Sequence, residues 1–172
     1  YERFRTAFAA LAALVCYSVK ACQNVQLCRL LAERGCGFDV VSGGELFRAV
    51  RAGGDPAKMV YAGVGKTDTE IREALAAGIG LLNVESESEL GVLAELAAAA
   101  GRTARVAIRV NPDVDARTHA YTTTGKKETK FGIDRDRVRE VCARFKGRPG
   151  LNLCGLHLHI GSPVNDVAAY EQ

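Results

Sequence analysis

The 172 residues are 48% hydrophobic and 25% charged, which supports one substantial core. The net charge of +3 comes from basic residues scattered among acids, so nucleic acid is not implied as a partner. There is also no apolar run long enough to span a membrane, and no signal peptide. Six cysteines with no Cys-x-x-Cys pair read as reduced, partly buried thiols of a cytoplasmic protein.

Phe4, Phe8 and Leu11 are spaced as one face of an amphipathic helix over residues 1–13. Within residues 14–24 an apolar, β-branched strand ends in Lys20, and Asn24 is placed to cap a helix with Leu27, Leu30 and Leu31 on one face, stopped by Gly35. From there a strand and helix recur about every twenty residues, the spacing of βα units. Residues 38–41, 59–62, 79–84 and 105–110 are the strands. Ser42 to Glu45, Thr67 to Glu70 and Ser86 to Glu89 each read as a capping box at the start of the following helix. Those helices carry Leu46, Phe47 and Val50; Ile71, Ala74 and Leu75; and Leu90, Leu93 and Leu96, and stop at Gly53, Gly78 and Gly101.

Residues 111–130 break the pattern with a polar, threonine-rich stretch, and a loop of that length is usually functional or part of an interface. Residues 134–146 resume a helix with Val138, Val141, Cys142 and Phe145 inward, and residues 152–160 form a sixth strand ending in Gly161 and Ser162.

Six parallel strands joined by right-handed crossovers place every carboxyl end on one rim. That rim gathers Lys20, Asp39 or Ser42, Lys66, Glu85, Arg109, Asn111, His159 and Ser162. No reversal of strand order is marked, so the expectation is α/β, a partial (β/α)8 TIM barrel truncated at both ends, in place of a doubly wound sheet.

Gly65-Lys66-Thr67 looks like the end of a phosphate loop, but that motif needs glycine where Val60 stands. Gly63 and Gly65 lack the third glycine of a dinucleotide fingerprint. His157 and His159 share a strand face at a spacing that suits a metal, yet with only His119 besides and no aspartate nearby on that strand, metal is expected to be absent; a structural role fits His157 better than His159, which lies nearer the rim. A strand that delivers one amine to its carboxyl end suits a Schiff-base lysine, and Gly161-Ser162 offers an amide and a hydroxyl to a phosphate. Together they suggest a phosphorylated ring cofactor whose aldehyde meets Lys20.

Seven blocks covering nearly the whole chain resemble one family. They are Tyr17 to Ala21, Phe38 to Glu45, Tyr61 to Thr67, Asn83 to Ser86, Arg109 to Asp115, Thr124-Gly125 with Lys130 to Ile133, and Gly155 to Pro163. The family is the alanine-racemase-fold decarboxylases dependent on pyridoxal 5'-phosphate, and most closely the branch acting on meso-2,6-diaminopimelate. The resemblance implies that Lys20 holds the cofactor as a Schiff base, His159 stacks on its pyridine ring, and Gly161 and Ser162 bind its phosphate. Asp39 and Arg109 would line the same pocket, and Lys130 would lie near a subunit interface.

The implied partners are a small amino-acid substrate and a second copy of the chain, in a homodimer with a shared active site. Cys22 stands where the family usually has asparagine. The beginning at Tyr1 and the stop at Gln172 lead us to expect an incomplete cofactor-binding barrel domain over residues 1–172. Its later strands and a β-rich second domain would lie elsewhere. Competing readings are a sister decarboxylase for ornithine, arginine or carboxynorspermidine, a non-catalytic cofactor-binding relative, and a metallohydrolase.

Overall fold

The computed structural model describes residues 1–112, 131–162 and Ala168. The chain divides into two units, residues 1–82 and 83–172.

The first unit opens with α1 (Glu2–Ala7), which ends earlier than its apolar spacing predicts and buries none of its residues; Phe4, Phe8 and Leu11 are exposed. Strands β1 (Cys16–Ser18), β2 (Gly37–Val40), β3 (Met59–Tyr61) and β4 (Leu81–Val84) are parallel neighbours in chain order. The helices between them are α2 (Val25–Ala32), α3 (Gly43–Arg51) and α4 (Asp68–Ala77). Phe38, Val40, Met59, Tyr61 and Leu82 from the strands meet Cys28, Leu46, Ala49, Ile71 and Ala74 in the core.

Two predicted helix faces are corrected. On α2 the buried residue is Cys28, with Leu27 and Leu30 exposed, and on α3 the buried apolar residues are Leu46 and Ala49, beside the buried Glu45, with Phe47 and Val50 exposed. The inward positions are the small or slender side chains, which let a helix approach the sheet closely.

Only one predicted capping box closes reciprocally. Thr67 Oγ1 accepts from the Glu70 backbone while the Glu70 carboxylate accepts from the Thr67 backbone at 3.0 Å. Ser42 caps α3, but Glu45 reaches one residue further back, accepting from the Val41 N–H at 2.9 Å. Glu70 also accepts from the Gly43 N–H at 2.8 Å, which ties the start of α3 to α4.

In the second unit α5 (Glu87–Ala99) leads to β5 (Ala104–Asn111), which pairs in parallel with β6 (Ile133–Asp134) and with β7 (Leu151–Leu158). The two-residue β6 is an addition to the six predicted strands, so that seven are present among the described residues. Asp134 belongs to β6, and α6 (Val138–Phe145) begins only after a 3-10 turn over Arg135–Arg137. Val138, Val141 and Phe145 point inward as expected, with Cys142 half-buried. Ser86 caps α5, and Glu89 accepts from the Glu85 N–H at 2.8 Å, the same displaced pattern as in α3. Residues 113–130, most of the predicted loop including His119 and Lys130, lie outside the described residues.

All six cysteines are free: Cys28 and Cys36 are buried, Cys16 and Cys142 half-buried, and Cys22 and Cys154 exposed. No helix among the described residues is long and apolar enough to cross a membrane.

Two outcomes test this packing in the full-length protein. Hydrogen bonds from the Thr67 and Gly43 backbones hold the Glu70 carboxyl down at about 2. Its folded pKa therefore lies below its unfolded one, so the ionised form stabilises the fold above about pH 4.5 and that contribution fades as pH falls towards 2. Glu70→Gln is expected to cost about 1 kcal/mol at neutral pH, allowing for solvent screening, with the gap to wild type closing below about pH 4.5 in urea titrations.

Gly80 is a steric test, because a Cβ there would lie 2.1 Å from the Ala57 carbonyl oxygen, whereas one at Gly65 meets nothing within 4 Å. Gly80→Ala should lower stability by about 1–3 kcal/mol, and Gly65→Ala by less than about 0.5 kcal/mol, read from the same unfolding curves.

Candidate active site

Lys20 does not end its strand as predicted. β1 stops at Ser18, and Lys20 sits in a single 3-10 turn, Val19–Ala21. Val19 is fully buried and pins the turn, whereas the Lys20 side chain is exposed. The register pairs Ser18 with Asp39, so their side chains leave the sheet on one face, and Ser18 Oγ donates to Asp39 Oδ2 at 2.9 Å.

Beyond the turn, the Tyr17 hydroxyl donates to the Cys22 carbonyl at 3.3 Å and Gln23 Nε2 donates to Glu45 Oε1 at 3.2 Å. Asn24 then caps α2, accepting from the Gln26 and Leu27 amides. The backbone around Lys20 is thus tied on both sides while its amine stays accessible.

Glu45 is buried and divides its oxygens between Gln23 and Val41. The sequence reading assigned it to a capping box and missed its brace on the Lys20 turn. The available signal was only its place one turn into α3. Lys66, expected at the rim, donates to the Gly63 carbonyl at 2.8 Å and lies over the Tyr61 ring. Ser42 is occupied in capping α3, which leaves Asp39 as the rim residue of that pair.

In the second unit the strand ends carry polar side chains into buried positions: Asn83, Glu85, Arg109 and Asn111 are all buried. Arg109 Nη1 donates to both Glu85 oxygens, at 2.9 and 3.1 Å, and the Phe131 ring lies 4.7 Å from the guanidinium carbon. Arg109 is in register with His157. Strand alternation places His157 and His159 on one face, both half-buried, with Leu156 and Leu158 on the other. His159 lies just past the end of β7, and Ile160 is buried behind it. Gly161 follows at φ +149, a conformation that favours glycine, and Ser162 is exposed.

Taken by itself, the first unit offers an accessible primary amine on a braced turn, the group that bonds an aldehyde. The second by itself offers an imidazole with a flat face, and a glycine turn followed by a hydroxyl, groups that can hold a ring and an anion.

Residues 1–172 match the family model described as pyridoxal-dependent decarboxylase, pyridoxal binding domain. The chain belongs to this family of pyridoxal-dependent decarboxylases and has the α/β fold of their barrel domain. Among curated relatives, the diaminopimelate decarboxylase of Neisseria meningitidis serogroup A is 47% identical over 168 residues, which is 98% of this chain and 41% of the relative. The crystal structure of diaminopimelate decarboxylase from Helicobacter pylori, complexed with L-lysine, superposes with a TM-score of 0.93 at 41% identity, covering 95% of this chain and 42% of that one. The diaminopimelate decarboxylase from M. jannaschii, also with L-lysine, gives 0.89 at 38% identity over 99% and 41%. The chain spans about two fifths of the length of the relatives it matches.

Thiol accessibility tests the environment of the Lys20 turn. Burial, with smaller contributions from Cys36 and Asp39, pushes the Cys16 thiol up to about 11, whereas Cys22 is exposed two residues from Lys20. In the cofactor-free full-length protein at pH 8, a maleimide should label Cys22 at least about tenfold faster than Cys16, read by peptide mass spectrometry.

Proposed function

We propose that the full-length protein containing this chain decarboxylates meso-2,6-diaminopimelate to L-lysine and CO2 with pyridoxal 5'-phosphate. The reading rests on one observation above all. A chain matching the pyridoxal-binding domain along its whole length presents an accessible lysine amine on a turn tied at both ends. The substrate is supported by the relatives, which are named diaminopimelate decarboxylases at 42–47% identity, and by solved relatives complexed with L-lysine.

Lys20 would hold the cofactor through its side-chain amine, the group on this chain able to bond an aldehyde and release it again. The imidazole of His159 would cover one face of the ring, Gly161 and Ser162 would donate a backbone amide and a hydroxyl to the phosphate, and Asp39 and Arg109 would line the pocket. Asp39 accepts from Ser18 and so fixes the strand end from which Lys20 departs. When bound, the cofactor supplies an electron sink for the charge left as CO2 departs, and a proton takes the place of the lost carboxylate.

The domain over residues 1–172 is an incomplete barrel, completed by later strands and followed by a β-rich domain. The working form is a cytoplasmic homodimer in which a second copy contributes to each site.

The test is an absorbance spectrum of the full-length protein with pyridoxal phosphate, followed by borohydride reduction and peptide mapping. Fixation on Lys20 is the expected result; fixation on another lysine, or none, removes the assignment. Lys20→Ala should lower CO2 release from meso-diaminopimelate at least about 10³-fold, and ornithine and arginine should be poor substrates for the wild type.

A further inference from the structure

Arg109 is more than nine-tenths buried, yet its guanidinium uses only one nitrogen on the described protein. Nη1 donates to both oxygens of Glu85. Phe131 lies against the guanidinium. The backbone at Gly132, φ +77, packs against the rest of the residue so closely that a Cβ there would lie 2.9 Å from the Arg109 carbonyl oxygen and 3.2 Å from its Cγ. Among the described residues only Nη1 is seen to donate, and neither Nε nor Nη2 is among the wholly enclosed polar atoms left without a partner, so this edge keeps N–H groups open to a ligand. A cation in a mostly buried residue is stable where a counter-charge neutralises it and its open edge meets an acceptor. Glu85 supplies the charge, and an anionic ligand oxygen would supply the acceptor.

Glu85 is itself held in place. It directly follows β4, its N–H donates to Glu89 Oε2 at 2.8 Å, and Ser86 after it caps α5. Its carboxylate therefore leaves a backbone that cannot swing. A guanidinium tied at one nitrogen could still rotate about that bond; the aromatic face and the glycine backbone limit this, and together the three fix its plane.

The geometry points to Glu85 as a positioning residue for the reaction proposed above. It balances the Arg109 charge and orients its Nε–Nη2 edge to donate to a ligand oxyanion, on the cofactor or on a substrate carboxylate. The inference rests on the pyridoxal phosphate reading, and the following experiment separates the two.

Full-length wild type, Glu85→Gln, Arg109→Lys and the double variant are freed of cofactor and their melting is recorded. Each is titrated with pyridoxal phosphate, followed by fluorescence and by the visible circular-dichroism band that reports how the ring is seated; KM for meso-diaminopimelate is then measured at saturating cofactor. Each single variant is expected to weaken one of these two affinities about tenfold, and the double variant no further, because each breaks the same arrangement. A change in cofactor affinity with an altered dichroism band assigns the oxyanion to the cofactor, and a change confined to KM assigns it to the substrate.

The inference is overturned if E85Q matches wild type in both affinities, or if the two losses multiply to about a hundredfold in the double variant. If E85Q does not fold, the cycle is repeated with Glu85→Asp, and the same two outcomes decide. A wild type that takes up no pyridoxal phosphate overturns the parent reading and this inference with it. Uptake by wild type with an unaffected E85Q overturns the inference alone.

Discussion

The turns that leave the strands are held by carboxylates from the helices that follow them. Glu45 accepts from Val41, Glu70 from Thr67 and Gly43, and Glu89 from Glu85, each bonding a backbone N–H just before a helix or in its first turn. These amides lack partners in the strand ladder and in the helix, and an acceptor bearing full charge satisfies them more strongly than water or a neutral group. The negative charge also sits at the positive end of the helix dipole. Residues at the carboxyl ends of the strands are thereby placed by groups outside the turns themselves.

This arrangement lets the interior be polar where chemistry is expected. Parallel strands with both faces covered normally carry apolar residues throughout. β5 does so through Val106, Ala107 and Ile108 and then turns to Arg109 and Asn111, both buried. Burying such groups without partners would cost several kcal/mol. For Arg109 the cost is offset by Glu85 and Phe131, whose positions depend on a backbone already held by Glu89.

Much of this was legible in the sequence because its signals are local. The Asn24 cap, the Thr67 and Glu70 box, the left-handed Gly78 stop and the strand-helix alternation all depend on residues within a few positions of one another. The candidate site residues were legible as individuals: Lys20 after an apolar run, Arg109 near a strand end, His159 before a glycine turn.

What escaped depends on distance or on packing. Glu85 and Arg109 are 24 positions apart, and their pairing follows from how strand ends are juxtaposed, which no spacing encodes. The inward faces of α2 and α3 were misjudged because hydropathy favours Leu27, Leu30 and Phe47, whereas close approach to a sheet favours Cys28 and Ala49. β6 consists of two residues, too few for a periodic pattern, and Lys20 left its strand early because three residues of pairing suffice when Val19 anchors the turn.

The helix-borne carboxylates also bear on how such a chain diverges. Because the brace for each turn is carried one turn into the next helix, the residue presented at the strand end can change its chemistry while the backbone that presents it is inherited intact. Glu45 illustrates this: it serves Val41 and Gln23 whatever side chain occupies position 20 or 22, so the cysteine at 22 is accommodated without loss of either bond. Catalytic novelty in this architecture is therefore cheap at the tips of the strands and expensive at the first turns of the helices.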